Sequence, residues 1–271
     1  MQAKFIVNVI LGALLSANAT SINDPREQAS AIVSKIQRAD YEGDQTAMQR
    51  GFDELKPFLE NKKLASRIRY WRGFAQWRRA INGFNDAVDP KELEQDLNAA
   101  LEEFKAALEN DPKFVDAKVG MISSLGFLLF AKRSDEAGRK EIIEQILALE
   151  KEAAAMAPDN PRLIWVRGPI FWNIPSTRGG GQDKAIENYQ RGLEICAQTK
   201  PTDDPLEPSW GKPELMMSLA YSCLNRKTPD VDLAERYAHD ALEIVPYWHY
   251  TRDILLPQIL AAKAKANQSA P

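Results

Sequence analysis

The sequence predicts an all-helical (all-α) protein in which helical hairpins repeat along the chain. Leucine, alanine, glutamate and lysine are abundant among the 271 residues, a composition typical of helical proteins. No segment of any length alternates apolar and polar residues as a β-strand would. Prolines, which mark helix boundaries, recur at intervals of about 41 to 47 residues, at Pro112, Pro158, Pro205 and Pro246. This period predicts stacked pairs of helices.

The first residues have the order of features found in a secretory signal peptide. Lys4 precedes an apolar run at residues 5–15, and Ala17, Asn18 and Ala19 give the small-x-small pattern of a cleavage site. The run is shorter than the roughly 20 apolar residues that span a bilayer. We therefore predict a signal peptide at residues 1–19 and export to the periplasm or the medium. An uncleaved anchor and a buried first helix are the alternatives.

The charge and the rare reactive side chains exclude several kinds of partner. A formal net charge of −3 gives no long-range attraction to nucleic acid or anionic lipid, and no later segment is apolar enough to cross a membrane. Cys196, Cys223, His239 and His249 lack the close spacing of metal ligands. We expect no metal, no cofactor and no nucleic-acid partner. We also expect two free thiols, because the cysteines fall at different heights of neighbouring helices.

A small–aromatic–small pattern identifies the kind of hairpin. Ala100, Phe104, Ala107 and Pro112 are four, three and five residues apart, so both alanines and the ring share one face of a helix that ends before proline. Small residues there allow a neighbouring helix to approach closely. The spacing returns in later hairpins, at Ala185, Tyr189 and Gly192 and at Ala234, Ala241 and Pro246. This pattern resembles the second helix of a tetratricopeptide repeat, A-x3-F-x2-A-x4-P.

The resemblance extends, in weaker form, over residues 66–246. Gly168 and Phe171 keep the glycine-to-aromatic spacing of a first helix, although Arg167 stands where the family prefers leucine. The resemblance implies a right-handed solenoid with hairpins at residues 27–60, 66–112, 113–158, 161–199 and 208–246. A capping helix is expected at 247–266, because an array must cover its last stacking face. A disordered tail is expected at 267–271.

In tetratricopeptide proteins the first helices line a concave groove, which implies a protein or peptide partner bound in that groove. Arg69, Arg72 and Arg79 form a basic stripe on a predicted first helix, from which guanidinium groups could bind carboxylates of a partner. Arg167 and Trp172, on a later first helix, are further candidates for partner binding. The alternative is a stripe paired with acidic neighbours, and tryptophans packed in the core.

No arrangement of residues indicates catalysis. Arg178 and the three glycines after it precede a helix, but the segment lacks the strand and the Lys-Ser/Thr ending of a phosphate-binding P-loop. A structural turn is expected there instead. No nucleophile–base arrangement is visible either. We therefore expect that the chain is not an enzyme.

Three functions remain open from the sequence. The first is an exported scaffold that binds a protein or peptide. The second is a small-molecule-binding component associated with a solute transport system, by analogy with some periplasmic tetratricopeptide proteins. The third is an enzyme on a helical scaffold. A closed apolar pocket among the first helices would favour the second function, and an open groove the first. The sequence leaves the oligomeric state open.

Overall fold

The computed structural model describes residues 24–131, 135–200 and 202–269. Within these ranges the chain forms eleven α-helices and no strand, which confirms the all-α prediction. No helix among the described residues is long and apolar enough to cross a membrane. The signal peptide predicted at residues 1–19 lies outside the described residues.

Consecutive helices pack as neighbouring pairs, α1 with α2 through α9 with α10, and α11 covers the last pair. The pairs stack as an all-α repeat solenoid. The helices are α1 Pro25–Glu42, α2 Gln45–Glu54, α3 Ala65–Asn85, α4 Pro90–Asn110, α5 Val115–Ala131, α6 Glu136–Met156, α7 Pro161–Asn173, α8 Gln182–Gln198, α9 Lys212–Asn225, α10 Val231–Ile244 and α11 Leu256–Ser269. Short 3-10 helices lie at Lys56–Glu60 and Ser176–Arg178, and a π-helix at Tyr250–Leu255 precedes α11.

The helix starts follow from local chemistry. The first turn of a helix has unpaired N–H groups, and a short polar side chain just before the helix can accept a hydrogen bond from them. Six helices begin in this way, after Asp24, Asp44, Asp89, Asp135, Asn160 and Asp230. Four helices have proline in the first turn, where no N–H is needed, at Pro25, Pro90, Pro161 and Pro213.

Glycines on the first helices receive the aromatic rings of the second helices. Gly73 of α3 and Gly120 of α5 both lie against the ring of Phe104, so a side chain at either position would collide with it. Gly168 of α7 receives Tyr189 of α8 in the same manner. Phe104 is fully buried and Tyr189 nearly so. In these two hairpins the aromatic ring therefore packs the second helix closely on the first, and Phe104 also packs against the next hairpin.

The two ends of the solenoid touch each other. Tyr41 at the end of α1 packs edge to face on Trp248, with ring centroids 5.1 Å apart. His249 lies against Gly43, and its Nε2 is 3.8 Å from Asp86 at the end of α3. The first hairpin therefore closes onto the last helices, a contact that the repeat pattern did not predict.

The end of the chain differs from the expectation. Helix α11 continues to Ser269, whereas the prediction ended the helix at residue 266 and placed a disordered tail after it. Residues 263–269 contain no glycine or proline, so nothing interrupts the helix there. The last two residues lie outside the described part of the chain. Cys196 and Cys223 are free thiols, as expected.

Candidate functional site: the face of the first helices

Helix α3 is buried on nearly every side. Trp71 and Trp77 are fully buried, and even Arg72, Gln76 and Arg78 are at most 6% exposed. A helix that lined an open groove would expose one long face to solvent. The concave groove expected along the first helices is therefore filled at α3, and other parts of the chain must cover this helix.

One cover is formed by residues 202–211, here named the strap, which belong to the connection between α8 and α9. Leu206 of the strap is fully buried, and its carbonyl oxygen accepts a hydrogen bond of 2.8 Å from Trp71 Nε1. Glu207 accepts from Arg67 Nε at 2.6 Å, and Asp204 pairs with Arg26 of α1. The strap thus packs against both α3 and α1.

Trp210 anchors the strap in an aromatic cluster. Its ring centroid lies 5.8 Å from Phe74, 5.6 Å from Trp77 and 5.6 Å from Trp165, within the range of favourable ring pairs. Its Nε1 donates a 2.8 Å hydrogen bond to the Tyr70 hydroxyl. Burial raises the pKa of Tyr70 well above its ordinary value. Because Trp210 touches both α3 and α7, the strap spans two first helices.

A buried polar cluster closes the other side of α3. Arg78 Nε donates to both carboxylate oxygens of Asp40 of α1 at 2.8 Å, and Asn82 Nδ2 donates to Asp40 Oδ1 at 3.0 Å. Glu214 of α9 accepts from the Tyr41 hydroxyl at 2.8 Å. Burial raises the pKa of Glu214, while Arg78 and the bond from Tyr41 act in the opposite direction. These contacts join α1, α3 and α9 across the expected groove.

The basic stripe on α3 faces its own hairpin. Arg69 and Arg72 bind the two carboxylate oxygens of Glu103 on α4, at 2.9 and 2.8 Å. Arg79 pairs with Glu92 and Asp96 of the same helix. The prediction that this stripe lines a groove is therefore wrong. The alternative interpretation, a stripe paired with acidic neighbours, describes these contacts. Arg72 and Glu103, however, are buried together and not solvated.

The other predicted site residues also serve the fold. Arg167 Nε binds Glu150 Oε1 at 2.8 Å, so it joins α7 to α6. Trp172 is partly buried against the cluster that contains Tyr189 and Leu215. The glycine turn is structural, as expected, since the Gly181 N–H donates to the Phe171 carbonyl oxygen at 2.9 Å. No cluster of metal-ligating side chains occurs within the described ranges.

The sequence pattern missed a surface at the ends of α3 and α5. Phe84, Phe127 and Phe130, here named the aromatic patch, have ring centroids 5.2 Å and 6.4 Å apart in that order. Phe84 is 38% exposed and Phe130 is 55% exposed. Phe84 follows Trp77 and Ile81 at intervals of four and three, which is the spacing of a core-facing stripe. It lies, however, in the last turn of α3, where it is partly exposed. Two depressions of the described surface lie elsewhere, on α6 and beside α4.

Sequence comparisons return no match, neither to a family model nor to a curated protein. The similar solved structures include two that match most of this chain. A thermophilic tetratricopeptide-repeat protein of Thermus thermophilus has a TM-score of 0.57 and 17% identity, covering 90% of this chain and 99% of that chain. The fold is tetratricopeptide-like. The HusA haemophore of Porphyromonas gingivalis has a TM-score of 0.56 and 14% identity, covering 75% of this chain and 97% of that chain. At such identities both likenesses concern the fold alone.

In this tetratricopeptide-like solenoid the concave groove that the resemblance implied is therefore filled at α3. The strap, α1 and α9 fill the space over α3. At the ends of α3 and α5 the aromatic patch remains exposed.

Proposed function

We propose that the chain is an exported, non-enzymatic scaffold that binds a protein partner through the aromatic patch. The observation that carries the proposal is the exposure of Phe84 and Phe130, at 38% and 55%, beside Phe127. Large apolar rings that stay in water and adjoin one another are typical of protein interaction sites. Aromatic side chains are also enriched at the centres of interfaces.

The place of the patch in the fold supports this assignment. It lies at the ends of two first helices, so the scaffold holds its rings in place with the same packing that stabilises the solenoid. The other exposed large apolar side chains outside α3 to α6 are single residues on separate helices, Tyr221, Ile244 and Leu260. Isolated exposed apolar residues are ordinary, whereas three adjoining rings are a candidate anchor for a partner.

Affinity capture from the native cell envelope tests the proposal. The double substitution Phe84→Ser and Phe130→Ser removes the exposed rings, and we expect a specifically captured protein to be lost by at least about tenfold. Helical circular dichroism should remain unchanged, because the substituted side chains are exposed. The matched control is Tyr221→Ser with Leu260→Ser, at 43% and 45% exposure. Equal capture by both double variants would exclude the patch as the binding site.

Export is part of the same proposal and has its own test. A signal peptide at residues 1–19 is removed on export, so the protein recovered from its host should begin near Thr20. N-terminal sequencing or intact mass decides this point. A recovered chain that begins at Met1 would contradict export with cleavage.

A further inference from the structure

Helix α6, the second helix of its hairpin, is left largely uncovered by the hairpin that follows it. Helices α2, α4 and α8 each pack along the first helix of the following pair, whereas α6 touches α7 only sparsely. Its inner face is buried at Ile142 and Ile146. Its outer face, however, keeps Ile143 and Leu147 in solvent at 42% and 54% exposure. Helix α6 is therefore exposed to solvent along about two turns of the face that the next hairpin covers in the other second helices.

The outer face of α6 has the pattern of a helix–helix contact. Six residues, here named the outer stripe, follow one another at intervals of four, three, four, three and four: Glu136, Lys140, Ile143, Leu147, Glu150 and Ala154. The first four are exposed, whereas Glu150 and Ala154 are partly buried. This alternation of four and three keeps side chains on one line along a helix and is the spacing of a helix-pairing seam. Ile143 and Leu147 stand at its centre, with a basic residue on one side and an acidic residue on the other.

The outer stripe is complementary to itself when it runs antiparallel. A two-fold axis placed midway between Ile143 and Leu147 brings Ile143 against Leu147 of a second copy, and the reverse pair by symmetry. The same axis brings Lys140 against Glu150 of the second copy, again twice. A symmetric dimer requires this property: if one residue contacts a second residue of the other copy, the second residue must also contact the first residue of that copy. Glu150 binds Arg167 through Oε1, and a carboxylate has acceptor sites for a further donor.

We infer that the outer stripe is the contact between two copies of this chain, which pair through antiparallel α6 helices. The second copy supplies the helix that α7 does not provide at this junction. The distance from Lys140 to Glu150 along a helix is about 15 Å. An interface of this length is small, so the dimer forms and dissociates with protein concentration. The inference goes beyond the proposed function, which uses the aromatic patch.

Sedimentation equilibrium over about 1 to 300 µM of the mature chain tests the inference. The mass of the wild-type protein should rise toward twice that of the monomer. Ile143→Glu and Leu147→Glu place like charges in the contact and should raise the dissociation constant at least about tenfold. Lys140→Glu should also weaken the dimer, whereas Lys140→Arg should retain it. The matched controls Ile244→Glu and Leu260→Glu, of similar exposure, should dimerise as the wild type does.

The direction of the two helices has a separate readout. In the antiparallel pair, spin labels at Ala148 lie near the two-fold axis and labels at Ala137 lie far from it. Pulsed electron resonance should therefore give a shorter label–label distance at Ala148 than at Ala137. A wild-type protein that stays monomeric throughout the concentration range overturns the inference, as does a dimer that survives both glutamate substitutions or shows the reverse order of distances. Phe84→Ser with Phe130→Ser should dimerise normally, so a failure of the proposed function remains distinguishable.

Discussion

Helices α3 and α6 have the same length, 21 residues each, but opposite surroundings. Two thirds of the residues of α3 are buried, while more than half of the residues of α6 are exposed. Both belong to the stacked hairpins in the middle of the solenoid. The difference arises outside the repeat: the strap, α1 and α9 cover α3, and α7 leaves α6 open. Burial in this protein is thus decided by segments that the repeat pattern does not describe.

The charged residues of the two helices differ in the same way: those of α3 are paired across elements, and those of α6 are mostly in solvent. Every arginine of α3 is paired with an acidic residue from another element, namely Asp40, Glu92, Asp96, Glu103, Asp111 and Glu207. A buried charge without such a partner would cost several kcal/mol. On α6, by contrast, Lys140 and Glu144 are mostly exposed at 4.0 Å from each other, a kind of pair that contributes little.

The largest effect is expected from removal of the strap anchor. Trp210→Ala should lower the free energy of unfolding by about 3–5 kcal/mol, because a large side chain is lost from a closely packed cluster. Urea denaturation measures the change. Ser209→Ala alters an exposed neighbour in the same strap and should stay within about 0.5 kcal/mol of the wild type. If the two variants were equally stable, the strap would not be part of the core.

A smaller effect is expected where α4 approaches α3. Ala107 is fully buried, so Ala107→Leu should overpack the contact and cost about 1–3 kcal/mol. The matched change Ala155→Leu adds the same atoms to the exposed face of α6 and should change stability by less than about 0.5 kcal/mol. Melting temperatures of the two variants give the comparison. An unchanged value for Ala107→Leu would contradict the close approach of α3 and α4.

The smallest effect concerns the pH dependence of the cluster between α1, α3 and α9. Burial raises the pKa of Glu214 above its ordinary value of about 4.3, so the folded state favours the protonated form. The wild type therefore loses stability as pH rises from the ordinary pKa through the raised one. Glu214→Gln does not titrate, and its amide can still bond Tyr41 and the Gly211 N–H.

The stability of Glu214→Gln relative to the wild type should accordingly increase between about pH 4 and about pH 8. Urea denaturation at both pH values checks the sign. The other ionisable groups that interact with Glu214 include Asp40, Arg78, Tyr41 and Cys196, and all four remain in the variant. A relative stability that falls with pH would show that the Glu214 carboxylate is favoured, not disfavoured, by its surroundings.

The fold could be predicted because its signals are local. The spacing of Ala100, Phe104 and Ala107 places three side chains on one helix face, and Asp89 with Pro90 marks the start of that helix. Such features depend on residues a few positions apart, which the sequence displays directly. The hairpins and their stacking follow from them, and the similar solved structures confirm the fold.

The site could not be predicted because its contacts are distant in the sequence. Trp71 and Leu206 are 135 residues apart, and Tyr70 and Trp210 are 140 apart. Nothing in a run of Asp, Pro, Leu, Glu and Trp shows that it folds back over α3. The arginine stripe was visible in the sequence, but only the three-dimensional structure shows that Glu103 and Asp96 face it. Phe84 has core spacing and lies in the last turn of α3, where the cover ends.

Hydrogen–deuterium exchange of the full chain tests the central claim most directly, because it compares the covered and the open helix in one experiment. Peptides from α3 and from strap residues 203–211 should exchange slowly, since their opening requires the core to open. Peptides from the exposed half of α6 should exchange faster by at least about tenfold. The account is contradicted if the strap exchanges as fast as an exposed loop while α3 and α6 exchange at equal rates.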